Sequence, residues 1–268
     1  METPLIEFRN ISKSFGGRIV LDKINLEIFK GQVTVIIGKS GVGKSVLLKH
    51  IIGLLEPDEG HILFHGKPVM KFGRKEWDSY LRKISYMFQN NALFDSLTVY
   101  ENIALPLRQK TGMTEKEIAG KVMVRIEQME LLRDVYKYPA ELSGGMQKRV
   151  ALGRALVTDP EIILFDEPTS GQDIMRKNAI LSMISQYQKR FGFTAVLISH
   201  DLPEVLLISN RVLLLHDRKL VFQGTARELN HFDHPFMDEI RCIDDLRRQL
   251  IENIDSNVMT KELMRKEV

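Results

Sequence analysis

The stretch Val33-Thr34-Val35-Ile36-Ile37-Gly38-Lys39-Ser40-Gly41-Val42-Gly43-Lys44-Ser45 decides how this chain folds. Its first five residues form a short β-branched run, the pattern of a strand buried on both faces. The remaining eight satisfy G-x-x-x-x-G-K-[ST] at every position. Glycine permits backbone angles and close approaches that a Cβ forbids, so successive amides can turn inward on phosphate oxygens. A helix predicted from Lys44 to about Gly53 adds its positive end to that cradle. In this geometry Lys44 reaches the β- and γ-phosphates of a nucleotide and Ser45 ligates Mg²⁺.

Working outward, Leu5–Phe8 and Ile19–Ile28 read as β segments, with Phe15-Gly16-Gly17 as the turn between them. Pro57-Asp58-Glu59-Gly60 reads as a turn before a short strand at Ile62–Phe64, and Ile84–Phe88 as another strand. From about Glu101 to Glu130 the pattern is helical, with Ile118, Val122 and Ile126 at spacing four. Ser143 to about Val157 is also helical and stops before Asp159-Pro160. Ile162–Phe165, Val196–Ser199 and Val212–Leu215 are further buried strands. This alternation predicts an α/β fold: a mainly parallel sheet with helices on both faces and a helix-rich lobe inserted at about 90–155.

The chain has 268 residues, enough for a full core, and 38 basic residues nearly balance 35 acidic ones. That balance gives no support to a nucleic-acid binder, which concentrates basic charge, so no nucleic-acid partner is expected. The lone cysteine, Cys242, excludes an internal disulfide framework; the reducing cytosol is the simplest compartment and the thiol reads as inert. Met1-Glu2-Thr3-Pro4 does not begin a signal peptide, and no apolar run approaches the roughly 20 residues needed to span a bilayer. If the chain works at a membrane, another chain must do the crossing.

Ile162-Ile163-Leu164-Phe165-Asp166-Glu167 sets two acids directly after four apolar residues. A buried strand of this kind delivers them to the C-terminal edge of the sheet, where open α/β folds bind ligands. Asp166 is placed to hold Mg²⁺, and Glu167 to polarise an attacking water as general base.

Leu142-Ser143-Gly144-Gly145-Met146-Gln147-Lys148-Arg149 goes beyond generic phosphate binding. It resembles the signature motif of the ATP-binding cassette (ABC) family, L-S-G-G-Q, with Met146 where glutamine is commonest. Ser143, Gly144 and Gly145 open a helix and so form a second anion site. The resemblance covers residues 5–225 and implies further roles. Phe15 stands where the family stacks an aromatic on adenine. Gly38, Ser40, Gly41, Gly43, Lys44, Ser45 and Val46 form the ATP cradle. Gln89 matches the glutamine that senses Mg²⁺ and the γ-phosphate, Asp173 the aspartate of the cross-dimer loop, and His200 the switch histidine. The implied catalytic set is Glu167, His200, Gln89 and Lys44; the implied metal set is Ser45, Gln89 and Asp166; the cofactors are ATP and Mg²⁺. The implied fold is a RecA-like P-loop NTPase core with an antiparallel β subdomain and an inserted α-helical subdomain.

In this family the signature of one cassette contacts ATP held by the phosphate loop of another. The resemblance thus implies an ATP-sandwich homodimer, which closes over two nucleotides and separates after hydrolysis. SMC-type ATPases would insert long coiled coils between loop and signature, translation-factor relatives carry two cassettes per chain, and small-molecule kinases lack the signature and His200.

The segment Phe88–Arg108, after Gln89, lies where the family grips its membrane permease. Its pattern resembles the ATPase of Mla-type, MCE-associated phospholipid transporters, as do Met146 and Gly171-Gln172-Asp173. This implies lipid transport through a separate permease dimer, at the cytoplasmic face of an inner membrane. The same residues are also compatible with an amino-acid or other small-molecule importer, or with a lipid or lipoprotein exporter. A small STAS-like accessory subunit and an MCE lipid-binding protein are the further partners that the resemblance implies. The ABC ATPase domain is expected over 1–232, with a helical extension over 233–268. There Phe236, Ile240, Ile243, Leu246, Leu250 and Ile254 form a stripe at helical spacing. The stripe has two readings: packing on its own domain, or reaching a dimer mate or accessory subunit.

Overall fold

The computed structural model describes residues 3–200 and 202–238. The chain divides into two units, one ending at Ala226 and one beginning at Arg227. Cys242 and the stripe beyond Phe236 lie outside the described residues.

In chain order the first unit runs β1 (Ile6–Phe15), β2 (Arg18–Ile28), β3 (Val33–Ile37), α1 (Lys44–Ile51), β4 (Glu59–Phe64), β5 (Lys67–Pro68), α2 (Arg74–Arg82) and β6 (Ile84–Met87). It continues through α3 (Val99–Lys110), α4 (Glu115–Gln128), α5 (Gly144–Leu156), β7 (Ile162–Asp166), α6 (Ile174–Phe191), β8 (Thr194–Ile198), β9 (Arg211–His216) and β10 (Lys219–Gly224). Among the described residues the strands form two sheets, a four-stranded antiparallel one ordered β2-β1-β4-β5 and a six-stranded one ordered β10-β9-β3-β8-β7-β6. The larger sheet is parallel from β9 to β6 and antiparallel only at the β9–β10 edge.

Period-two alternation sorts the parallel strands onto two faces. Ile36, Ile162, Leu164, Val196, Ile198, Leu213 and Leu215 share one core with β1, β2, β4 and Leu47, Leu48 and Ile51 of α1. Val35, Ile163, Phe165, Leu197, Val212 and Leu214 point to the other face and are equally buried. The strands are therefore apolar on both sides, as the unbroken apolar runs predict. Gln188 of α6 ties that helix to the sheet, its Nε2 donating to the carbonyls of Gly31 (2.8 Å) and Phe193 (2.9 Å).

Several boundaries differ from the sequence reading. The first strand runs to Phe15 rather than Phe8, because register shifts against β2 and β4 absorb the polar residues between Arg9 and Ser14. Its turn is Gly16-Gly17, both at positive φ (54° and 78°), the geometry a two-residue hairpin requires. The helical pattern from Glu101 to Glu130 is two helices, because Thr114 caps a new one. Its side chain accepts from Glu117 N (3.4 Å), while Glu117 accepts in return from Thr114 N (2.8 Å). With α5 they form the helical lobe within 99–156. Gly153 lies close to Ile103 and Met129, where a larger residue would press on both. Among the described residues no helix is long and apolar enough to cross a membrane.

Candidate functional site

The phosphate loop bridges β3 and α1. Gly38 (φ 148°), Gly41 (φ 77°) and Gly43 (φ 111°) occupy the backbone region that other residues avoid. A Cβ at Gly38 would also collide with the carbonyl oxygen of Leu215 on β9. Lys44 is only 5% exposed, and its Nζ donates to the carbonyls of Gly38 (2.8 Å) and Lys39 (3.0 Å). The ammonium thus sits folded into the loop it serves. Burial pushes its pKa down, opposed by the charges of Glu167 and Asp166. Ser40 is exposed and Val46 half-buried against the core.

Among the described helices the first turns differ in what answers their amides. α3 and α4 open with a threonine cap closed by Glu101 or Glu117, so a carboxylate already answers their first-turn amides. α1 and α5 carry no acidic residue in the first turn. No carboxylate of their own first turn offsets their positive ends. α5 is capped by Ser143, whose hydroxyl accepts from Met146 N at 3.3 Å. Ser143, Gly144 and Gly145 are exposed, and open space surrounds both glycines.

Parallel pairing sets β7 beside β6 and β8, so Asp166 and Glu167 emerge beside α1 at the sheet's C-terminal edge. Ser45 Oγ donates to Asp166 Oδ1 at 3.1 Å. The other oxygen of Asp166 accepts from the Tyr86 hydroxyl at 2.6 Å. Glu167 adopts φ 49°, and its amide donates to Ile198 O of β8 at 3.1 Å, which holds the start of the turn against that strand. His200 Nδ1 lies 3.4 Å from Glu167 Oε2. Lys44, Ser45, Asp166, Glu167 and His200 therefore form one constellation.

The donor set suits Mg²⁺, a hard cation that takes one or two protein oxygens and completes its shell with phosphate and water. Asp166 and the Ser45 hydroxyl supply such oxygens. The described residues include no group of three or more His, Cys, Asp or Glu side chains that could hold a metal unaided.

Gln89 is exposed just past β6 and lines a cavity of about 800 Å³ together with Ser143, Gly144, Gly145, Lys148 and Gln172. No residue of the phosphate loop borders that cavity. The signature end of α5 and the nucleotide cradle are thus separate features of one subunit. Asp173, beside Gln172, caps α6, accepting from Arg176 N at 2.9 Å. Phe15 is 45% exposed at the β1–β2 turn, with Lys13 Nζ 5.6 Å from its ring centre.

Three functional contacts escape sequence reading. Lys148 is buried, and its Nζ donates to Pro168 O (2.8 Å) and Asn91 Oδ1 (3.2 Å). Arg154, two turns on along α5, donates to the carbonyls of Asn91 (2.7 Å) and Ala92 (2.7 Å), both at positive φ. The third is Tyr86 on Asp166. Each joins residues tens of positions apart, and no local pattern announces them.

The segment after Gln89 is organised from α3. Asn102 is fully buried; its Nδ2 donates to the carbonyls of Phe94, Leu97 and Thr98, and its Oδ1 accepts from Phe94 N at 2.9 Å. Replacing Asn102 with Ala strands those backbone groups, at a cost of about 2–3 kcal/mol. Denaturant unfolding should show that loss, and hydrogen exchange at Phe94 should accelerate. Unchanged exchange there would remove Asn102 as the organiser.

Comparison with known proteins identifies the family. Residues 21–170 match the family described as ABC transporter. The intermembrane phospholipid transport ATP-binding protein MlaF of Haemophilus influenzae is 38% identical over 229 residues, 85% of this chain and 87% of that protein. CbiO1 of Clostridium perfringens, part of an ABC transporter complex, superposes with a TM-score of 0.80 at 29% identity, over 94% of this chain and 99% of its own. A dimeric ATP-binding cassette in a post-hydrolysis state with ADP and phosphate does so with a TM-score of 0.69 at 31% identity, over 82% of this chain and 98% of its own. A match spanning more than half the chain, with relatives similar along most of it, settles the affiliation: this chain belongs to the ABC transporter family, as an ATP-binding subunit that hydrolyses ATP.

Proposed function

We propose that the chain powers phospholipid transport between membranes through a separate permease, working as a pair of identical subunits at the cytoplasmic face of an inner membrane. The supporting observation is the separation of cradle and signature. Ser143–Gly145 lie exposed on a cavity that the phosphate loop does not reach. A second copy, turned head to tail, would bring that serine-led helix end to the phosphates held by Lys44.

In this reading the Lys44 ammonium turns from the Gly38 and Lys39 carbonyls to the β- and γ-phosphates. Gly38, Ser40, Gly41, Gly43 and Val46 shape the cradle, and Phe15 stacks on adenine. Ser45, Asp166 and Gln89 would hold Mg²⁺, which when bound supplies positive charge to the phosphates. Glu167 takes a proton from the attacking water, and His200, beside Glu167 Oε2, contacts the γ-phosphate. Asp173, at the start of α6, faces the mate. Loss of the shared γ-phosphate frees the subunits to part.

Phospholipid as cargo rests on the 38% identity to the phospholipid-transport ATPase MlaF and on the Phe88–Arg108 segment. The test is to purify the membrane complex through this chain and reconstitute it in proteoliposomes. ATP-dependent transfer of a labelled phospholipid to acceptor vesicles is the expected result. A complex whose ATPase responds to a soluble amino acid with its binding protein, and which moves no lipid, would assign the chain to a small-molecule importer.

A further inference from the structure

We infer that Tyr86 is a positioning residue for the metal-holding carboxylate, fixing Asp166 so that one chosen oxygen faces the ion. The inference rests on the reading of Asp166, with Ser45 and Gln89, as the protein's share of the Mg²⁺ shell.

Asp166 has two oxygens and two different neighbours. Oδ1 accepts from Ser45 Oγ at 3.1 Å, on the phosphate-loop side. Oδ2 accepts from the Tyr86 hydroxyl at 2.6 Å, on the β6 side. A carboxylate at the end of a strand would otherwise rotate about its last bond and present either oxygen. The phenol removes that freedom, because turning the group would break a short, charge-assisted hydrogen bond.

The donor is itself held. Tyr86 pairs with Leu164 in the parallel register, two residues before Asp166, which brings its hydroxyl level with the carboxylate. Its ring packs against the core and tilts onto Phe88, with centroids 4.6 Å apart. The ring neighbour Phe88 is half exposed and adjoins Gln89. A run of contacts therefore leads from the surface of the Phe88–Arg108 segment to the carboxylate at the nucleotide.

Tyr86→Phe deletes one oxygen and keeps the ring on Phe88, so the fold should persist. Binding of a fluorescent ATP analogue, measured in chelator and then across a Mg²⁺ titration, separates the roles. Affinity without metal should be unchanged. The Mg²⁺ concentration for half-maximal enhancement should rise about tenfold, as expected for losing one hydrogen bond to a charged group. Turnover should recover when Mg²⁺ is raised to saturation. Asp166→Asn serves as the reference and should abolish the Mg²⁺ enhancement. If Asp166→Asn retains the wild-type Mg²⁺ response, the reading of the metal site fails. If Asp166→Asn loses it and Tyr86→Phe responds as wild type, or if Tyr86→Phe also weakens metal-free binding, the positioning role is overturned.

Discussion

Replacing Glu167 with Gln should lower steady-state ATP hydrolysis by about 10²–10⁴-fold, the usual contribution of a general base, while leaving nucleotide binding intact. The amide has the shape of the acid but cannot take a proton. The turn at Glu167 is set by its backbone, at φ 49° with its amide on Ile198 O, so the substitution leaves it in place. Removing one negative charge beside Asp166 also relieves repulsion of the γ-phosphate, and affinity should hold or rise. With hydrolysis blocked, the nucleotide-bound pair should accumulate. Phosphate release and light scattering at saturating ATP would measure both effects. A variant that stays monomeric under those conditions would refute the shared-nucleotide scheme, and one that turns over at the wild-type rate would refute the role of Glu167.

Lys44→Met should have an opposite profile, with binding lost and the fold kept. Two charge-assisted bonds to phosphate, at about 1.5–3 kcal/mol each, correspond to an affinity loss of about 10²–10⁴-fold. Stability should change little, because the bonds to Gly38 and Lys39 are lost together with a desolvated ammonium. Methionine fills a similar volume. Equilibrium nucleotide binding and a thermal melt on the same sample give the two readouts. Wild-type affinity in this variant would mean that the phosphates are held elsewhere.

The parts of the fold legible in the sequence are those whose cause is local. The strands read at Val33–Ile37, Ile162–Phe165 and Val196–Ser199 announce themselves because burial on both faces favours runs that are almost wholly apolar or β-branched. The glycine loop is legible because its spacing is dictated by phosphate geometry. Helix α6 was less visible: Ile180, Leu181, Ile184 and Tyr187 form its buried face, but exposed Ile174 and Met175 at its start blur the periodicity. Strand β10 and helix α2 are short and amphiphilic, with few buried residues to mark them. In the site, Ser45, Asp166 and Glu167 could be read from motifs. Tyr86, Lys148 and Arg154 could not, because each acts through a neighbour that only sheet order or helix packing supplies.

Helix α5 carries more than its serine-led end. Through Lys148 and Arg154 it also grips Asn91, Ala92 and Pro168, the first two just past Gln89 and the last just past Glu167. In the proposed dimer it would act as a crank with fixed pins: tilting it to meet a mate would carry the loop after Gln89 and the turn after Glu167 together. Thermodynamic reciprocity then requires the reverse: a partner that displaced the loop after Gln89 would alter how readily the serine-led end engages.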